Sequence, residues 1–450
     1  MKREIGTLKI GTVILLSLAI CVGCSRSTAV SPTVNVATPS PTATLSTPSP
    51  TATPTTIVPN SVVYTTPQAD VLLSSSLYNN LYQSHSGNVF FSPFSIITAL
   101  AMAQEGAVGN TATQMQNVLN LNGNPTIRQQ GFQQLMNEIN SPGKHYTLNT
   151  ANNLWIQQGF NILSSYINTV QIYYDAGVTN VDFIGNASGA LQTINGAVSQ
   201  ETAGYVPDLL SPNNINAQTR LVLTNAIYFQ ANWMSQFVTT GTIQQPFNLD
   251  SGGAETVSMM HQMFRANLGD FNGVAAVLAM PFEDNEASMY IFLPPQGGTA
   301  ALENLMSGSN INTWLAANAA TLATLSSLSP QVSLALPKFS FSESYDLKST
   351  LEQMGMPLAF SPSADFSGID GFQDLFISDV VHKADIQVTE SGTTAAAATA
   401  VIIGTTTGII TIPNSQIVSF TADHPFIFMI VENTTNTVLF MGRVSDPLAN

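Results

Sequence analysis

Cysteine is almost absent: the 450 residues carry two, Cys21 and Cys24, both near the N-terminus. If the chain is processed at Cys24, no thiol follows it for disulfides, metal binding or nucleophilic catalysis. Charge is equally scarce, with 9% Asp, Glu, Lys and Arg and a formal net charge of −15. A phosphate-binding surface needs clustered Lys and Arg. Of the 12 basic residues, those beyond Cys24 are scattered, which excludes nucleic acid and argues against a polyanion patch. Catalytic signatures are missing as well: no G-x-S-x-G elbow, no H-E-x-x-H, no phosphate loop and no dinucleotide fingerprint. The 5 histidines, at 85, 145, 261, 382 and 424, have no ligand spacing. Asp423 and His424 are adjacent, and on a strand adjacent side chains point to opposite faces, so no relay is expected from them. The residues nominate no cofactor, no metal and no active site, although motifs alone leave a dispersed Ser-His-Asp site open.

What is present begins with a leader. Lys2, Arg3 and Lys9 precede one apolar run, Ile10 to Val22, "IGTVILLSLAICV". The run is short for a spanning helix, which needs about 20 residues, and has the shape of a secretory signal. It ends at "CVGC", where Gly23–Cys24 resembles a bacterial lipoprotein processing site, with Cys21 the alternative lipidated residue. The expected destination is the cell envelope or the outside of the cell, anchored by lipid at Cys24; plain secretion is the alternative. Residues 25–62 are rich in Ser, Thr and Pro, as in "TPSPTATLSTPSPTATPTT". Such composition cannot bury a core, and it reads as a semi-extended stalk. The division is residues 1–24 leader, 25–62 linker and 63–450 one large folded domain.

Hydrophobic residues make up 44% of the chain, enough for a sizeable core. "SPFSIITALAMAQEG" predicts a helix capped by Ser92 with Pro93 at its first position and a stop near Gly106. Further helical patterns fall at 111–119, 127–139, 164–174 and 188–201. Strand-like runs include "RLVLTNAIYFQ", "AAVLAMPF", "ASMYIFLP", "QVSLALPKF", "FISDVVHKADIQV", "FIFMIVEN" and "TVLFMGRV". Helices are read mainly in the first half and strands in the second, without a βα repeat. The class is mixed α+β with large, mainly antiparallel sheets.

One stretch is unusual for a folded domain. After Glu390 no charge occurs before Asp423, and no proline before Pro413. Ala395 to Ala398 run into Val401, Ile402 and Ile403 with Thr and Gly between, and the β-branched run argues against a plain Ala-rich helix.

Several stretches together resemble the serpin family: "NVFFSPFSIITALAMAQEGAVGNTATQM", "RLVLTNAIYFQANWMSQF", "LPKFSFSESYDLKSTLEQMGM", "ADFSGI", "HKADIQVTESGTTAAAATA" and "FTADHPFIFMIVENTTNTVLFMGRV". They follow in the family order, and the resemblance runs from Ala69 to Pro447. It implies the serpin fold, with helices packed around large sheets and an exposed reactive-centre loop as bait. It also implies a serine-type endopeptidase inhibitor that works as a suicide substrate. The protease cuts the loop, stays joined to it as an acyl-enzyme, and is trapped as the loop inserts into the central sheet. Insertion excludes charge and proline, which accounts for the composition. Alternation would set Thr393, Ala395, Ala397 and Thr399 on one face of the inserted strand.

The resemblance assigns Glu390, Gly392, Thr393, Thr394, Ala395, Ala396, Ala397, Ala398 and Thr399 to the loop hinge, which extends to Ala400. Lys338 would pair with Glu390 at the top of the sheet, above Trp233. Ser92, Ser95, Asn225 and His382 match the polar cluster beneath the sheet's centre. The scissile bond falls at Thr406–Thr407. The loop is longer than usual before "DHPF", which leaves Ile409 and Ile410 as alternates. An uncharged cut site suits elastase-, subtilisin- or chymotrypsin-like serine proteases, with cysteine proteases a further target class. Helix 111–119 has no Lys or Arg, which argues against heparin-type activation, and a monomer is expected. Gly196 and Pro207 depart from the family pattern near Asn195, away from the hinge.

Overall fold

Thr65 closes a capping box with Gln68, Ser92 accepts from the amide of Ser95, and Asn124 accepts from Thr126 and Ile127. A helix follows each, begun in every case with proline in its first turn, where the missing N–H costs nothing. The computed structural model describes residues 14–24, 64–85, 87–205, 207–217, 219–306, 308–326, 329–393 and 417–449. Of the sequence expectations, the linker 25–62, hinge residues Thr394 to Thr399 and the bonds at Thr406–Thr407, Ile409 and Ile410 lie outside them.

In chain order the first part comprises β1 (Ile14–Cys24), α1 (Thr66–Ser84), β2 (Val89–Phe91), α2 (Pro93–Gln104), α3 (Gly109–Leu119), α4 (Pro125–Ile139), β3 (Tyr146–Gln157), α5 (Ser164–Tyr174), β4 (Gly177–Val181), α6 (Ala187–Glu201) and β5 (Thr219–Asn232). There follow β6 (Ile243–Asn248), β7 (Ala254–Arg265), β8 (Leu268–Phe271), β9 (Ala275–Pro281), β10 (Ala287–Leu293), α7 (Thr299–Leu305), α8 (Gly308–Ala323), β11 (Gln331–Pro337), β12 (Phe339–Asp346), α9 (Lys348–Met354), α10 (Ser367–Asp370), β13 (Leu375–Val388), β14 (Gly392–Thr393), β15 (Ile417–Thr421), β16 (Phe426–Glu432) and β17 (Thr437–Val444).

Among the described residues the strands form three sheets of seven, six and four members. The largest runs β12, β13, then β14 and β1 sharing one column, then β5, β3 and β4. The second packs β16 and β17, buried along their whole lengths. Gly442 is obligatory there, because a Cβ would stand 2.7 Å from both the Phe428 ring and the Val89 carbonyl. One core joins α1 and α2 to this sheet; another lies between the sheets around Phe90, Phe229, Phe339 and Phe428. The mixed α+β class is as the sequence indicates.

Two expectations change, and part of the expected leader is placed in the fold. The first half contains a long strand, β3, whose Asn- and Thr-rich sequence lacks the strand pattern but pairs with β5 over eleven positions from Tyr146 to Ile156. Helices α7 to α10 stand in the half read as strands. Residues assigned to a leader outside the fold form β1, antiparallel between β5 and β13. An uncharged extended run can satisfy all its backbone groups between two such edges.

Candidate functional site: the seat of the loop

The site is the column between β5 and β13 where the uncharged loop begins. β13 ends at Val388, and residues 389–392 turn back so that Gly392 and Thr393 pair with Asn232 and Ala231 of β5. Thr393 also sits opposite Val388 of β13, so the loop's first residues already lie between the two strands. Gly392 is required by close approach: a Cβ would collide with the Ala231 carbonyl oxygen and stand 2.8 Å from Asn232 Cα. Thr393 is fully buried.

The turn is held from several sides. Trp233 Nε1 donates to the Thr389 carbonyl at 2.9 Å. The amides of Trp233 and Phe237 donate to the Ser391 and Glu390 carbonyls, each at 2.9 Å. Within the turn, the Thr389 amide and hydroxyl both donate to the Gly392 carbonyl, at 3.0 and 3.1 Å. The indole of Trp233 is 2% exposed and stacks on Phe282 with centroids 4.6 Å apart.

Lys338 Nζ lies 2.8 Å from Glu390 Oε2, and Thr242 Oγ1 donates to Glu390 Oε1 at 2.9 Å. Partial burial works to raise the Glu390 pKa, but the hydrogen bonds from Lys338, its own backbone and Thr242 outweigh it and hold the group below its ordinary value. Lys338, Glu390 and Trp233 are thus brought together at the turn.

Lower in the sheet, Ser92 caps α2 and donates its amide to His382 Nε2 at 3.2 Å. His382 has no exposed surface, and burial pushes its pKa down to about 3. The ring is therefore neutral with the proton on Nδ1, which meets no protein acceptor among the described residues. Ser95 is buried, and its amide donates to Ser92 Oγ at 3.3 Å. The backbone of Asn225 pairs with Asn152 of β3 and Leu18 of β1; its side chain lies outside the described residues.

Asp423 and His424 require a correction. They lie between β15 and β16 rather than on a strand, so both side chains point the same way and His424 Nδ1 stands 2.8 Å from Asp423 Oδ1. His424 Nε2 is 2.6 Å from the Pro294 carbonyl, which leaves no ring nitrogen facing a cleft. Among the described residues no cluster of three His, Cys, Asp or Glu could hold a metal, and no helix is long and apolar enough to cross a membrane.

Thr242, Thr389, Phe237 and Phe282 were not expected at this site. Thr389 and Thr242 carry no sequence signal, since their partners lie 156 and 148 residues away.

The fold is helix-covered α+β, and its main sheet seats Gly392 and Thr393, the first residues of a long uncharged stretch, between two strands. The family model described as "Serpin (serine protease inhibitor)" matches residues 69–447, and the chain belongs to the serpin family. An uncharacterized serpin-like protein of Thermococcus kodakarensis is 41% identical over 376 residues, covering 82% of this chain and 83% of the relative. Leukocyte elastase inhibitor of Bos taurus is 38% identical, covering 80% and 94%. Among solved structures, thyroxine-binding globulin complexed with thyroxine superposes with a TM-score of 0.70 at 32% identity, covering 85% of this chain and 99% of that one.

Proposed function

We propose that the protein is a suicide-substrate inhibitor of serine endopeptidases of elastase, subtilisin or chymotrypsin type, with cysteine proteases a further class. The observation that carries this reading is the seating of Gly392 and Thr393 between β5 and β13, ahead of a stretch without charge or proline up to Ile412. The target's serine hydroxyl attacks the loop carbonyl, the peptide C–N bond breaks, and the new amine leaves with a proton. The N-terminal half of the loop is left as an ester on the protease. Hydrolysis of that ester then races against insertion of the cut loop. About 15 residues at roughly 3.3 Å each would carry the protease some 50 Å along the sheet. The new strand's backbone bonds and buried side chains supply the driving force, released only after the cut.

The scissile bond on this reading is Thr406–Thr407, with Ile409 and Ile410 as alternates. The inhibitor acts as a monomer outside the cytoplasm, held to a membrane by lipid on Cys24 through the Thr-rich linker. Thyroxine-binding globulin shows that the fold can also carry a small ligand; the small, uncharged hinge favours insertion for this chain. Incubation with pancreatic elastase or subtilisin should give a complex that survives SDS, with the cut located by mass spectrometry. Clean cleavage without complex across a broad protease panel would overturn the reading.

A further inference from the structure

The loop hinge and the N-terminal leader occupy the same column of the central sheet. β14 sets Gly392 opposite Asn232 and Thr393 opposite Ala231. That antiparallel register, if carried down β5 by an inserted loop, would bring Ala395 to Phe229, Ala396 to Tyr228 and Ala397 to Ile227. Those three positions are taken by Ile14, Leu15 and Leu16 of β1. The other flank gives the same equivalence. Thr393 is opposite Val388 of β13, so Ala396 would reach Asp385, which is where Leu15 stands. The match persists to Cys21, which faces Val222 and Asp379, the positions Ile402 would reach. Beyond it β1 has register shifts on both sides. Leader and inserted loop thus share direction, register and backbone partners, and cannot be present together.

We propose that the leader is an intramolecular plug of the insertion slot: while it is attached and seated, the loop can be cut but cannot enter, and removal of the leader arms the trap. This rests on the inhibitory reading above, but the occupancy itself is tested separately. From Leu15 to Cys21, β1 pairs in continuous register with both β5 and β13, strands that would otherwise present open edges. A plugged precursor also has no vacant column to tempt the loop before export.

The test uses the full 450-residue chain, expressed without export so that the leader remains, beside its Ala19→Pro variant. Ala19 lies mid-strand, opposite Thr224 and Val381, where proline removes a ladder bond and does not fit a central strand. Hydrogen exchange of residues 14–24 should be slower in the unaltered chain by about a hundredfold or more, as for a strand that opens only sub-globally. Equal, fast exchange in both would overturn the proposal. After nicking with elastase, the variant should gain heat resistance and the unaltered chain should not; equal gains would overturn it too. If neither gains while residues 14–24 are protected, the plug stands and the inhibitory mechanism fails instead. Ile20→Lys, which puts a charge in the same column, guards against a folding defect peculiar to proline and should behave as Ala19→Pro does.

Discussion

Lys338 and Glu390 meet at 2.8 Å between Nζ and Oε2 where β13 ends and the loop turns back into the sheet. The pair closes the mouth of the slot, together with Thr242 and Trp233. The pair ties the residue before β12 to the turn that follows β13, beside the column that Gly392 and Thr393 enter.

Lys338→Met should therefore loosen the mouth. Lys338 is 38% exposed, so solvent screens the pair and the loss of stability should be modest, about 0.5–1 kcal/mol. The folded-state pKa of Glu390 is depressed. Its contribution is thus complete above the ordinary carboxylate value and is lost as pH falls through the folded one. Denaturant titrations of both forms should differ at neutral pH and converge only once the pH has fallen well below the ordinary carboxylate range.

His382 sets a second pH dependence with its own window. Burial lowers its pKa to about 3, so the unfolded chain takes up a proton near pH 6.5 that the folded chain refuses. Stability held above pH 6.5 should fall by about 1.4 kcal/mol per pH unit below it, until the folded group titrates. His382→Gln keeps an acceptor for the Ser92 amide and removes that slope. An unchanged slope would show that His382 does not titrate in this range.

Thr393 is buried at the start of the column. Thr393→Arg would force a guanidinium between β5 and β13, and a buried, unpaired charge costs several kcal/mol. The variant should be cut at the same bond as the parent, yet yield at least about tenfold less SDS-stable complex, tenfold corresponding to a 1.4 kcal/mol shift in the partition.

Trp233→Phe keeps an aromatic face for Phe282 but deletes the bond to the Thr389 carbonyl. A lost hydrogen bond of this kind costs about 1 kcal/mol, which thermal unfolding should register as a lower midpoint. Exchange of the Ser391 to Thr393 amides should speed up.

How far the sequence revealed this site depended on how local the signals were. Ser92 and Pro93 announce α2 because cap and first turn are contiguous, and β16 and β17 are mainly apolar. The hinge is legible because insertion constrains composition along one stretch, and Lys338, Trp233 and His382 came only through the resemblance to a family. β3 was missed because Asn149, Asn152 and Asn153 are poor strand formers in isolation; pairing with β5 overrides that preference. The contacts of Thr242 and Thr389 join residues far apart in the chain, and no periodicity encodes them. Asp423 and His424 were misjudged through the strand assumption alone, since the chain turns there between β15 and β16.

The central claim is that the sheet with its loop outside lies above the free energy of the sheet with its loop inserted. Differential scanning calorimetry of the leader-free protein, intact and after a single cut in residues 394–416, tests it most directly. The cut form should melt at a distinctly higher temperature than the intact one. Coincident transitions would contradict the account.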